Sequence, residues 1–155
     1  MALTQDAWFN STMVAALSNT IALNLADTTP GAFKGALFEV SASPNFSQAS
    51  PVYGTAPLDS DESSGPGYTA GGVDMTVASF AELAGATNKI GWDFEPIEWT
   101  ESTIDAGGLL IYVPSLSSRA VLLRYFGQEY STADGTFSIT FHADGVWRQV
   151  LRSSA

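Results

Sequence analysis

Most protein active sites are built from histidines, cysteines and paired carboxylates, and this chain of 155 residues supplies them unevenly. His142 is its one histidine. A nucleophilic triad needs such a base beside a nucleophile and an orienting acid. His142, however, stands between Phe141 and Ala143-Asp144 at a strand end, where an exposed histidine is the plain reading. Asp93, Glu95, Glu98, Glu101 and Asp105 form an acidic stretch. Two carboxylates hydrolyse a glycoside only when held at a defined separation across a sugar cleft, and Trp92 and Trp99 lie close enough in sequence to stack on a sugar. Yet Asp93 alternates with Ile90, Trp92 and Phe94, as the solvent side of a core-facing strand does. Asp59-Ser60-Asp61-Glu62 offers oxygens of the kind calcium takes, without the rest of an EF-hand loop, and reads as a hydrated acidic loop. Gly71-Gly72 and Gly107-Gly108 are followed by neither Lys-Ser/Thr nor a helix start, so they cradle no phosphate. The chain has no cysteine, which removes disulfides, thiolate catalysis and Cys-ligated metals together. The expectation is a protein that is not an enzyme, with no metal site and no cofactor.

The elements that would position these residues belong to one domain. A chain of this length fits a single core, and 45% of its residues are apolar, a globular composition. Sixteen Asp and Glu face six Lys and Arg, for a formal charge of −10. Such a surface repels phosphate backbones and anionic bilayers, so neither nucleic acid nor membrane is expected as a partner. No apolar run approaches the roughly 20 residues of a membrane helix. The start, Met1-Ala2-Leu3-Thr4-Gln5-Asp6, lacks the basic region of a secretory signal, which predicts a protein made and used without export.

The fold class expected is mainly β, an antiparallel sandwich or barrel with one N-terminal helix. Trp8, Phe9, Met13, Ala16 and Leu17 fall near helical spacing within residues 1–19, with Thr4 as a cap. Ile21, Leu23 and Leu25 then alternate with polar or small residues, as in a half-buried strand. Thr28-Thr29-Pro30-Gly31 reads as a turn, and residues 32–41 as a strand weakened by Gly35. Residues 43–72 hold Pro44, Pro51, Pro57 and Pro66 and read as a long loop with one short strand near Val52 and Thr55. A loop of that length in a small domain has a task. Strands resume at Val73, Met75 and Val77. The turn Gly85-Ala86-Thr87-Asn88 leads into Ile90, Trp92 and Phe94 as a hairpin, and another strand follows Pro96. Gly108-Leu109-Leu110-Ile111-Tyr112-Val113 is apolar without alternation, so both of its faces must be covered, in a sheet centre or in an assembly. Residues 120–126 are nearly as apolar. Phe137, Ile139 and Phe141 alternate cleanly, and Asp144-Gly145 signals a hairpin into the last strand. Seven to nine strands result.

Several of these segments recur together. Gly67-Tyr68-Thr69-Ala70-Gly71-Gly72 precedes a strand, and Trp99-Thr100-Glu101-Ser102-Thr103-Ile104 follows a proline turn. Then come the Gly108 to Tyr112 strand, Tyr125-Phe126-Gly127, and Ala133-Asp134-Gly135-Thr136-Phe137-Ser138-Ile139-Thr140-Phe141. In this order they resemble a family of small tailed-bacteriophage structural proteins, whose members begin with a short helix and run through the same β segments. The likeness covers nearly the whole chain and is weakest at residues 43–64. It departs at Val113-Pro114, where relatives carry acidic residues.

The resemblance implies a virion protein assembled in the host bacterial cytoplasm. The function expected is capsid decoration (cement), binding and stabilising the major capsid protein lattice. A tail or neck structural protein is the alternative, and a carbohydrate-binding β-sandwich module the further one. The partner would be the major capsid protein or another virion structural protein, with self-association into a homo-oligomer. Such an interface buries at least about 1,000 Å² around aromatic anchors. Trp8 and Phe9 from the helix, and Phe46 and Tyr53 from the long loop, are the anchors expected.

Overall fold

The computed structural model describes residues 3–151. In chain order it holds β1 (Ala7–Trp8), α1 (Asn10–Leu17), β2 (Phe33–Phe38), β3 (Val73–Met75), β4 (Val77–Glu82) and β5 (Lys89–Phe94). These are followed by β6 (Ile97–Ser102), β7 (Asp105–Val113), a 3₁₀ turn at Pro114–Leu116, β8 (Arg119–Ser131), β9 (Gly135–Ile139) and β10 (Trp147–Val150). Every strand pair is antiparallel. The chain is mainly β with one short helix near its start, in a sandwich-like arrangement of open sheets.

The doubly apolar run becomes β7, at the centre of a five-stranded sheet ordered β1-β8-β7-β2-β3. Leu109, Ile111 and Val113 point into one cluster and Leu110 and Tyr112 into another, as strand alternation requires. The first cluster is closed by two smaller sheets, β10-β5-β4 and β6-β9, which contribute Trp92, Phe94, Ile97, Trp99 and Phe137. The second is closed without a sheet. Leu3, Phe9, Ala42 and Leu58 cover it, with Phe46 and Tyr53 packed at its side.

One bulge lets β8 serve both. Ile111 faces Leu122 and Tyr112 faces Ala120, so Val121 is the extra residue. Val121 and Leu122 therefore both enter the first cluster, while Ala120 and Leu123 enter the second.

The N-terminal helix is shorter than its apolar spacing suggests. It starts at Asn10, with Phe9 in the cap position and no side-chain cap, so Thr4 has no such role. Trp8 and Phe9 belong to extended chain. Trp8 pairs with Leu122 and packs on Trp92 and Trp147, while Phe9 turns to the opposite cluster. Neighbours that point opposite ways cannot share a helical stripe. Thr12 then ties α1 to the sheet, its hydroxyl donating to the Ala120 carbonyl at 2.7 Å.

Other departures share a cause: the chain changes layer where the pattern alone suggests continuity. Ile21, Leu23 and Leu25 alternate in burial, and Leu23 and Leu25 lie against the first cluster, yet they pair with no strand. The run from Val73 is split, with β3 in the large sheet and β4 in a smaller one. Asp144-Gly145 does turn, but β10 pairs with β5 and not with β9, so no hairpin forms there. The short strand expected near Val52 is a single bridge from Val52 to Arg119. Among the described residues there are ten strands, β1 being only two residues long.

Gly35 is a packing residue. A Cβ there would stand 2.7 Å from the Met75 sulfur and 3.0 Å from a Leu109 methyl. Because both faces of β7 are covered, Leu109→Ala and Leu110→Ala, on opposite faces, should each cost about 2–5 kcal/mol. Urea unfolding of the two variants measures this, and a near-neutral result for either would mean that its face is not closed.

Candidate functional site

The residues whose types suggested chemistry are dispersed or tied into the fold. His142 is exposed, and its Nδ1 accepts the Asp144 backbone N–H at 3.1 Å, so it caps its own turn. Glu95, Glu98, Glu101 and Asp105 are exposed, and Asp93 accepts its neighbour Phe94's N–H. Trp92 and Trp99 are 0% and 4% exposed, so neither offers a face to a sugar. Among the described residues, no three acidic or histidine side chains are gathered to hold a metal ion.

The expected partner anchors are occupied by their own chain. Trp8 and Phe9 are buried in the two clusters, so they are not surface anchors. Phe46 is half-buried against Phe9, with ring centroids 5.2 Å apart. Tyr53 is half-buried and stacked on Tyr112 at 4.6 Å and 13°. The long loop supplies these contacts because the second face of β7 needs a cover.

The acidic knot contains the polar centre of that cover. Residues 61–63 run beside β2, where Glu39 N–H donates to the Asp61 carbonyl (2.8 Å) and Ser63 N–H to the Leu37 carbonyl (2.9 Å). This brings Glu62 inward. Its Oε2 accepts the Tyr53 hydroxyl at 2.7 Å; its Oε1 accepts the Tyr68 hydroxyl at 2.8 Å and the Gly71 N–H at 2.7 Å. The Tyr68 oxygen in turn accepts the Leu37 N–H, and the Tyr112 hydroxyl donates to the Gly71 carbonyl. Asp61 takes the Ser41 and Ser60 hydroxyls, leaving Asp59 exposed. A carboxylate accepting three donors is a clamp. Burial, with the Glu62 charge adding to it, pushes the Tyr53 and Tyr68 hydroxyls well above the usual phenol range. Burial likewise pushes Tyr112 up to about 12. All three stay neutral donors at ordinary pH.

What the fold leaves open is a groove of about 490 Å³ between β8 and β9. Its walls are residues 124–126 and 130–132 on one side and 136–140 on the other. Successive strand residues point to opposite faces, so the unbroken run from Thr136 to Ile139 brings the edge of β9 into the wall. β9 pairs only with β6, and β1 covers β8 only at Leu122 and Leu123. Between Tyr125 and Tyr130, β8 takes five residue steps while β7 takes two, from Gly108 to Ala106. Gly127, at φ 89°, lies in that excursion. Phe126 floors the groove, 6.3 Å from both Tyr130 and Phe137. Apolar surface is also open on α1, where Val14 and Leu17 are 65% and 81% exposed.

The sequence reading missed the groove because its wall includes a strand edge, and which edges are free depends on strand order. The one local signal was the glycine in Tyr125-Phe126-Gly127 within an otherwise apolar strand. No family model, curated protein or solved structure matches the chain.

The clamp carries a pH signature. Unfolded tyrosines ionise near pH 10, whereas Tyr112 in the fold holds its proton to about 12 and Tyr53 and Tyr68 hold theirs higher. Their contribution to stability is whole below about pH 10 and is lost as the pH rises through the folded values. Urea midpoints should therefore fall between about pH 10 and 12. Glu62→Gln should cost about 1–3 kcal/mol at neutral pH and move tyrosinate absorbance to lower pH. An absorbance titration unchanged by the substitution would separate Glu62 from these hydroxyls.

Proposed function

We propose that the chain is a non-enzymatic structural protein of a tailed-bacteriophage particle, bound to the major capsid protein lattice as a decoration (cement) protein. The observation that carries the packing role is the open groove between β8 and β9, where the free edge of β9 meets an aromatic floor. The clusters with chemical potential are dispersed or consumed internally, while backbone edges and the α1 residues Val14 and Leu17 stay uncovered. Surface of that kind suits a protein whose work is to be covered by another. The phage assignment comes from the order of segments from Gly67 to Phe141, which resembles small tailed-phage structural proteins.

The physics of cementing is mass action. A protein that binds assembled subunits and not dissociated ones stabilises the lattice in proportion to its occupancy. A tail or neck position would use the same surfaces and differs in copy number.

Particles assembled without the protein should lose their genomes at lower temperature, or in lower salt, than complete particles. Equal thermal release curves would remove the cementing role. Quantitative gels of complete particles should give a copy number that scales with the capsid protein; a few copies per particle would instead indicate the tail or neck.

A further inference from the structure

We infer that the groove between β8 and β9 is a strand-acceptor site, and that its occupant is an extended, basic segment of a partner protein with apolar residues at alternate positions. The shape selects the backbone. One wall includes the edge of β9, whose far side makes no backbone hydrogen bond among the described residues. A free edge of five residues is about 17 Å long, and the entity that satisfies a row of unpaired N–H and C=O groups is another extended chain.

The two sides of the occupant are set by different surfaces. On one, Phe126, Tyr130 and Phe137 form the floor and wall, which suits apolar side chains. On the other, Thr136, Ser138 and Thr140 are exposed, and Glu98 is the cross-strand partner of Ser138, so its carboxylate stands on the same face. Asp134, exposed, sits at the turn into β9.

Charge then selects the partner. Arg124 is the one charged residue in the lining, and Asp6 already pairs with it. Across the described residues only Asp6, Asp74 and Asp144 among the carboxylates stand in ion pairs, on a chain of net charge −10. A second copy would bring a like charge to the same place; a Lys- or Arg-bearing strand is attracted. The inference rests on the packing role and is independent of the phage assignment, because it is read on the isolated protein.

The probe is a lysine–valine alternating peptide of about seven residues, compared with a version N-methylated at alternate positions and with a glutamate–valine version. The full chain should bind the first and gain amide exchange protection within residues 136–140. The N-methylated and acidic versions should bind at least about tenfold more weakly, a difference of 1.4 kcal/mol. Glu98→Lys with Asp134→Asn, both exposed and the second able to keep the positive φ of 51° at that turn, should weaken the lysine peptide by a similar factor while leaving the thermal midpoint in place. No binding up to about 1 mM, equal binding of the N-methylated peptide, or protection elsewhere would overturn the site. Protection of residues 136–140 that grows with protein concentration alone would overturn the choice of occupant, in favour of a second copy.

Discussion

The structure depends on closing both faces of one strand. β7 carries Leu109, Ile111 and Val113 on one side and Leu110 and Tyr112 on the other, each at most 5% exposed. Burying a side chain of this kind is worth about 1.5–3 kcal/mol, so a one-sided sheet would forfeit much of the core. Two covers are required, and they differ in construction. Two small sheets close the first face. On the second, Leu3 and Phe9 from the extended start of the chain and a loop of some thirty residues do the same task.

A loop is a poor lid unless its backbone is satisfied, since buried peptide groups without partners cost about 1–3 kcal/mol each. The clamp around Glu62 answers that constraint. β3 pairs with β2 only over Phe33, Lys34 and Gly35, which leaves Leu37 beyond its reach. The Tyr68 oxygen then accepts the Leu37 N–H, and the Ser63 N–H reaches the Leu37 carbonyl. Glu62 holds Tyr68 in place and, through Gly71, the return of the loop to β3. Only glycine fits that return: Gly72 has φ 70°, and a Cβ there would strike the Gly35 carbonyl. Packing, hydrogen bonding and chain conformation thus converge on the few residues that join loop to sheet.

Local pattern made much of this legible. The absence of alternation from Gly108 to Val113 located the central strand, and the β4–β5 hairpin followed from its turn residues and the alternation of Ile90, Trp92 and Phe94. What pattern could not supply was pairing between distant segments. Trp8 and Phe9 fit a helical stripe as well as a strand, and the choice was made by Leu122, more than a hundred residues away. Asp144-Gly145 has the chemistry of a hairpin turn, but β5 offers the returning chain an edge that β9 does not use. Glu62 looked like one acid among three because its distinguishing property, three convergent donors, comes from positions 53, 68 and 71. Site and fold were hidden for the same reason: both are long-range pairings.

That reason also bears on why the groove exists at all. Exposed strand edges invite unwanted pairing, and proteins blunt them with proline, with lysine, or with a covering segment. This chain covers the β2 edge beyond β3 with residues 61–63 and caps part of β8 with β1. Along β9 it does neither: Gly135 to Ile139 contains no proline and no lysine. The edge lines a groove opposite β8, while the exposed carboxylate of Glu98 lies across the strand on β6 and that of Asp134 at the turn into β9. Two copies of so acidic a chain repel each other before their edges meet, and the barrier is lowest for a narrow, extended and positively charged segment. On the proposed reading, such an edge on so acidic a chain disfavours its own kind and favours a basic strand. The large sheet has both faces covered by the chain's own residues, and on the proposed reading a partner is selected at the outer edge of β9, in the smaller β6–β9 sheet.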